Sequence, residues 1–134
     1  MIRVYVDMVA DLFHSGHVNF LKQAKECGDY LIVGVHSDKD VASYKRKPII
    51  GEKNRCEMIK SCRYVDEVVD NAPLMITKEF IDYNEIDFVI HGDDINSNFI
   101  DFYKVPVQLG VMKYVPYTKG ISTSEIIKRI KERY

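Results

Sequence analysis

Five short apolar runs, rich in Val, Ile and Tyr, punctuate the chain at Ile2–Val6, Tyr30–His36, Val65–Val69, Asp87–His91 and Val111–Val115. Each is nearly continuous in apolar character rather than alternating, as expected of parallel strands covered on both faces. Helical spacing fills the gaps, over Gly16–Cys27, Glu52–Cys62, Thr77–Asn84, a weaker stretch near Asn98–Leu109, and Ser122–Tyr134. In the first of these Val18, Leu21 and Ala24 recur every three residues, and Phe20 and Cys27 widen the stripe. Ser122 with Glu125 three residues on reads as a capping box, and Ile126, Ile127 and Ile130 then form an apolar face. Strand–helix alternation of this kind predicts a doubly wound α/β domain, residues 1–134, around a five-stranded parallel sheet.

Composition narrows the possibilities without naming a function. The 134 residues are 46% hydrophobic, with 19 basic against 20 acidic side chains and a net charge of −1. Such a balance gives no electrostatic footprint for nucleic acid or an anionic membrane surface. No apolar run approaches the roughly 20 residues of a membrane span. Cys27, Cys56 and Cys62 are odd in number and form no C-x-x-C, so they read as small apolar residues of a protein kept in a reducing, cytoplasmic compartment.

In doubly wound sheets ligands bind beyond the carboxyl ends of the strands, so the loop after the first strand is the place to look. It reads Asp11-Leu12-Phe13-His14-Ser15-Gly16-His17 and runs into the first helix. A helix N-terminus offers unpaired N–H groups and a positive dipole end, both of which attract phosphate. His14 and His17, three apart, fall on one side of that helix. Gly16 between them allows a close approach of the backbone to a bound group. Together they can neutralise charge growing on a phosphoryl centre. A zinc site would need further ligands at suitable spacing, which the chain does not supply, so no metal ligand is assigned. Asp94-Ile95-Asn96-Ser97-Asn98 begins like a calcium loop, but Phe99 stands where that loop needs glycine.

H-x-G-H after the first strand resembles the signature of nucleotidyltransferases with a Rossmann-like fold. Gly120-Ile121-Ser122-Thr123-Ser124, Arg63-Tyr64-Val65-Asp66-Glu67-Val68-Val69 and Asn71-Ala72-Pro73 are similar to segments of one branch, the cytidylyltransferases. His36-Ser37-Asp38 and Gly92-Asp93-Asp94-Ile95 fit the same pattern, and the match runs through nearly the whole chain. The resemblance implies transfer of CMP from CTP to a small phosphorylated alcohol, of the phosphoethanolamine or glycerol 3-phosphate type or a phosphonate, with release of diphosphate. It implies Mg²⁺ on the nucleotide and a homodimer with Arg63 near its interface. It places His14, His17 and Lys45 in catalysis. Val9, Ala10, His14, Gly16, His17, Asp93, Asp94, Tyr117, Thr118, Gly120, Ile121, Ser122 and Thr123 would bind nucleotide. Lys45, Arg55, Arg63, Leu74 and Thr77 would meet the acceptor, although Arg55 could equally form a surface ion pair.

Three positions depart from the family's pattern. Met8 replaces a glycine at the end of the first strand, which would bulk up a turn near phosphate. Tyr117 stands in place of an arginine. Leu74 replaces an aromatic residue, and aromatic faces are the usual seat of a quaternary ammonium, so phosphocholine is disfavoured. Two other readings share the H-x-G-H motif: an ATP-dependent adenylyltransferase such as one making FAD, and a nucleotide-binding module without catalysis.

Overall fold

The computed structural model describes residues 1–95 and 97–134. Among them, strands β1 (Arg3–Met8), β2 (Tyr30–Val35), β3 (Glu67–Val69), β4 (Phe88–Gly92) and β5 (Met112–Val115) form one parallel sheet in the order β3-β2-β1-β4-β5. β1 lies against β2 from Arg3↔Tyr30 to Met8↔Val35 and against β4 at Val4↔Phe88. Strand order therefore reverses at β1, and the cleft between β1 and β4 is the switch point where such sheets bind ligands.

Alternate residues of the central strands feed two cores. Val4 and Val6, Leu31, Val33 and Val35, and Ile90 point to one side, where Leu21 and Ala24 of α1 (Ser15–Glu26) and Ile59 of α3 (Glu52–Lys60) cover them. Tyr5, Ile32 and Val89 point to the other, against Ile76, Ile81 of α4 (Lys78–Tyr83), Ile86 and Tyr103. Burial on both faces is why these strands lack polar alternation.

The sheet, its parallel sense and its five strands agree with the sequence reading, while several boundaries move. β1 runs two residues further than its apolar run and takes in Asp7 and Met8. A short helix α2 (Asp38–Ala42) follows β2, capped by Ser37, whose hydroxyl accepts from the Asp40 amide at 3.1 Å. The helix expected over Asn98–Leu109 is instead a 3₁₀ helix, Ser97–Tyr103, followed by α5 (Lys104–Gln108). Pro106 cannot donate within a helix, and the tighter turn leads into it. Asn96 of the discarded calcium-like segment lies outside the described residues, as do the side chains of residues 97–99. The last helix, α6 (Thr123–Arg133), has Ser122 as its cap, the hydroxyl accepting from the Glu125 amide. It buries no residue completely: Ile126 and Ile127 are half-buried and Ile130 is exposed, so its apolar face is only partly covered.

Candidate active site

The turn from β1 into α1 is built from strained but well-anchored backbone. Ala10 and Leu12 both adopt left-handed conformations, at φ 60° and 51°. Non-glycine residues there cost on the order of 1 kcal/mol each and persist only when their surroundings fix them. Three segments do so. The Asp11 carboxylate accepts from the amides of Ile49 and Ile50, both at 2.9 Å. Thr123 donates its hydroxyl to the Asp11 carbonyl at 2.9 Å. Arg55 donates to the Val9 carbonyl at 2.7 Å. Met8 itself stays within regular strand, so the family's missing glycine is not where the backbone is left-handed.

At the start of α1 the two histidines cap the helix and fix each other. His14 Nδ1 accepts from the Gly16 amide at 3.0 Å, and His17 Nδ1 accepts from the His14 amide at 3.1 Å. These donors, expected to be open to a ligand, are thus held by the imidazoles. Because both Nδ1 atoms accept, both rings carry their proton on Nε2. The rings lie 3.9 Å apart between centroids. A Cβ on residue 16 would sit 2.8 Å from His14 Cε1, so Gly16 makes room for the histidine's own ring. Burial lowers the His14 pKa; burial, then the neighbouring His14, brings His17 down to about 4. Both rings are therefore neutral Nε2–H donors at pH 7.

A cavity of about 340 Å³ opens over these rings, between the ends of β1 and β4 and the N-terminus of α6. His14, Gly16, His17, Lys45, Asp94, Tyr117, Thr118, Ile121, Ser122 and Thr123 line it, as the sequence reading grouped them. Val9 and Ala10 line an adjoining recess of about 170 Å³ with His17, Lys45 and Thr123. Gly120, at φ 98°, borders another recess of about 320 Å³ that shares Tyr117, Ile121 and Ser122 with the cavity. Lys45 lines both spaces while still reaching solvent, and its partial burial, then Arg46 beside it, lowers its pKa. Thr118 is steadied by the Asn19 amide at 2.5 Å, and Gln23 reaches the Pro116 carbonyl, so α1 holds the segment in which Tyr117 replaces the arginine.

Other expected residues lie elsewhere. Asp93 turns away to accept from the Tyr117 amide at 2.9 Å. Arg55 is wholly buried, outside the cavity lining, and its ion pair is with half-buried Asp38 at 2.7 Å rather than at the surface. The Arg55 guanidinium in turn holds the Asp38 carboxyl below its ordinary pKa. Arg63 is exposed and donates to the Tyr64 hydroxyl at 2.8 Å, in a separate groove. Thr77 caps α4, accepting from the Phe80 amide, and half-buried Leu74 lines none of these cavities. Conversely, the cavity includes Asp7, Phe20 and His91, which the sequence reading left out, and Met8, which it noted only as a departure from the family's pattern. Ending the first apolar run at Val6 hid Asp7; Asp7 and Met8 are the last residues of β1, where the switch-point rule looks.

The fold and the cleft define a class: a doubly wound α/β protein whose switch-point cavity gathers anion-seeking groups from two helix N-termini. Within that class the chain belongs to the cytidylyltransferase-like family, whose model matches residues 9–129. It is 40% identical to ethanolamine-phosphate cytidylyltransferase of Dictyostelium discoideum over 131 residues, 96% of this chain and 36% of that protein. It is 46% identical to choline-phosphate cytidylyltransferase A of Homo sapiens over 138 residues, 99% of this chain and 37% of that protein. The chain thus spans about a third of the length of these relatives. Among solved structures it superposes on the lipopolysaccharide core biosynthesis protein from Thermoplasma volcanium GSS1 with a TM-score of 0.72, at 27% identity, covering 90% of this chain and 99% of that one.

Proposed function

We propose that the protein transfers CMP from CTP to a small phospho-alcohol, with release of diphosphate. The observation that carries this reading is the convergence of His14, His17, Lys45 and the Ser122–Thr123 helix start on one cavity, in a chain related to cytidylyltransferases. An acceptor phosphate oxygen attacks the α-phosphorus in line, the bond to the β-phosphate oxygen breaks, and diphosphate leaves with the electron pair. No covalent enzyme intermediate is required. Neutral Nε2–H donors from both histidines meet the oxygens where charge builds, and the Lys45 ammonium offsets the charge of the two phosphates it must bring together. Much of the rate then comes from positioning, as in phosphoryl transfer generally.

Mg²⁺ belongs to the same proposal as a counter-ion on the nucleotide phosphates. Among the described residues no group of three or more His, Cys, Asp or Glu is placed to hold a metal. The protein's own part is to bind and orient the phosphates around it. No described helix is long and apolar enough to cross a membrane; a cytoplasmic setting remains part of the proposal.

The acceptor side of the cavity supports an amino-alcohol. Asp7 brings a carboxylate into a space that must already accept two phosphates, which disfavours a purely anionic acceptor such as glycerol 3-phosphate. Leu74 is half-buried and outside the lining, so the position at which the family carries an aromatic residue does not face this cavity. We therefore propose an amino-alcohol phosphate, of which phosphoethanolamine is the simplest, ahead of glycerol 3-phosphate. We also propose that a second copy covers the groove of about 690 Å³ lined by Phe13, Val18, Met58, Cys62, Arg63 and Tyr64. Phe13 stacks on His17, at 5.5 Å between ring centroids, so a partner seated there abuts the catalytic histidines.

Diphosphate release measured with CTP and with ATP, over phosphoethanolamine, phosphocholine and glycerol 3-phosphate, tests this reading. CTP with phosphoethanolamine is expected to be the productive pair. Preference for ATP would move the protein to adenylyl transfer, and no release with any pair would make it a binding module.

A further inference from the structure

Beneath the phosphate-facing residues, the cavity floor holds a polar cluster that the transfer chemistry leaves unused. The Asp7 side chain is only 1% exposed, yet it borders the cavity. Its Oδ1 accepts from the Tyr103 hydroxyl at 2.6 Å, and its Oδ2 lies 3.2 Å from Nε2 of His36. His36 follows β2, its side chain is 7% exposed, and its Nδ1 has no hydrogen-bond partner. Among the described residues no lysine or arginine pairs with Asp7. The surrounding phenols stay protonated: burial, then the Asp7 charge, pushes Tyr44 up to about 12 and raises Tyr103 and Tyr5 well above the ordinary value.

A carboxylate only accepts, so the His36 nitrogen facing it carries the proton. One anchor, from Tyr103, would leave the carboxylate free to turn about its broad terminal torsion. A second anchor on the other oxygen fixes its plane. Of the roughly four lone-pair positions a carboxylate offers, two are then held by the protein and the rest are left for a ligand.

We propose that His36 is a positioning residue for the acceptor: by holding Oδ2 of Asp7 it aims the free lone pairs at the ammonium end of a zwitterionic phospho-alcohol. The proposal rests on the cytidylyl-transfer reading above. It assigns His36 a task separate from that of His14 and His17, since it lies outside the cavity lining and acts only through Asp7.

Steady-state kinetics of the full chain and two variants test it. His36→Leu is expected to raise KM for phosphoethanolamine about tenfold, the worth of one hydrogen bond to a charged group. KM for CTP should stay within about twofold, because His36 lies outside the cavity lining and reaches the site only through Asp7. His36→Gln, which returns an N–H donor near the Nε2 position, should recover most of the loss. Parallel changes in both KM values, no change in either, or a Gln variant as impaired as Leu while melting like wild type would overturn the proposal. Should His36→Leu fail to fold, His36→Gln decides alone: an acceptor KM within about threefold of wild type upholds it, and a tenfold rise sinks it. Wild type that prefers glycerol 3-phosphate to phosphoethanolamine overturns this assignment and leaves cytidylyl transfer standing. Wild type that releases no diphosphate overturns both.

Discussion

His17 joins the stability of the fold to its proposed chemistry. Burial and the adjacent His14 bring its pKa to about 4 against an ordinary 6.5, so between those values the unfolded chain binds more protons than the folded one. Stability at this residue therefore falls as pH drops from about 6.5 towards 4 and is steady above that window. Urea unfolding at pH 7 and pH 5 is expected to show a lower midpoint at pH 5, with a smaller drop in His17→Gln. Equal drops in the two proteins would remove the assignment. The same ring is proposed to stabilise transition-state charge, so His17→Ala should lower kcat at least about 100-fold, as for loss of a preorganised donor. The thermal shift produced by CTP should change far less, because ground-state contacts from Lys45 and the α6 N-terminus remain. A variant with wild-type turnover would end this mechanism. Sequence spacing was enough to place these two histidines on one side of a helix. It did not reveal that each ring caps the helix, since a cap depends on side-chain rotamers rather than spacing.

The turn between β1 and α1 is the element on which the site depends, and Arg55 is its main support. Its guanidinium donates to the Val9 carbonyl, the Ile50 carbonyl at 2.9 Å and the Asp38 carboxylate, tying three segments together. Arg55 is wholly buried while the Asp38 side chain stays 30% exposed, so losing the guanidinium strands a partly solvated carboxylate and two backbone carbonyls. That places the cost at the low end of the about 3–5 kcal/mol typical of a broken buried pair. Arg55→Met should therefore destabilise the protein by roughly 3 kcal/mol, read as a fall in urea midpoint. Arg55→Lys should recover little, because a single ammonium cannot serve three divergent acceptors. A change below about 1 kcal/mol in Arg55→Met would show that the turn holds itself. None of this support is visible in the sequence: Asp38, Ile50 and Val9 lie far from Arg55 along the chain or carry only backbone groups to the contact. Helix α2 escaped for another reason. At five residues it is too short to display a period.

At the scale of the molecule, the near-neutral charge hides a division of labour within one cavity. His14, His17 and Lys45 line the part proposed to face phosphate, while Asp7 borders the same cavity with, among the described residues, no lysine or arginine paired to it. The sheet itself was legible because strands buried on both faces leave continuous apolar runs, and those runs survive any uncertainty in their ends. The pairing of Asp7 with His36 and Tyr103 was not legible, because the last spans 96 residues and depends on strand order. Sedimentation equilibrium should report twice the 15.6 kDa of the chain, with Met58→Glu in the groove beside Arg63 shifting it to a single chain. A wild-type monomer would contradict the proposed pairing.

The central claim is that this cavity joins CMP to a phospho-alcohol. Phosphorus NMR of CTP, Mg²⁺ and phosphoethanolamine incubated with the protein tests it most directly. The account predicts loss of the three CTP resonances, growth of the paired resonances of a CDP-alcohol in equal measure with diphosphate, and neither product with His17→Ala. CTP left intact beside the wild-type protein, or cleaved to CMP and diphosphate without a CDP-alcohol, would contradict it.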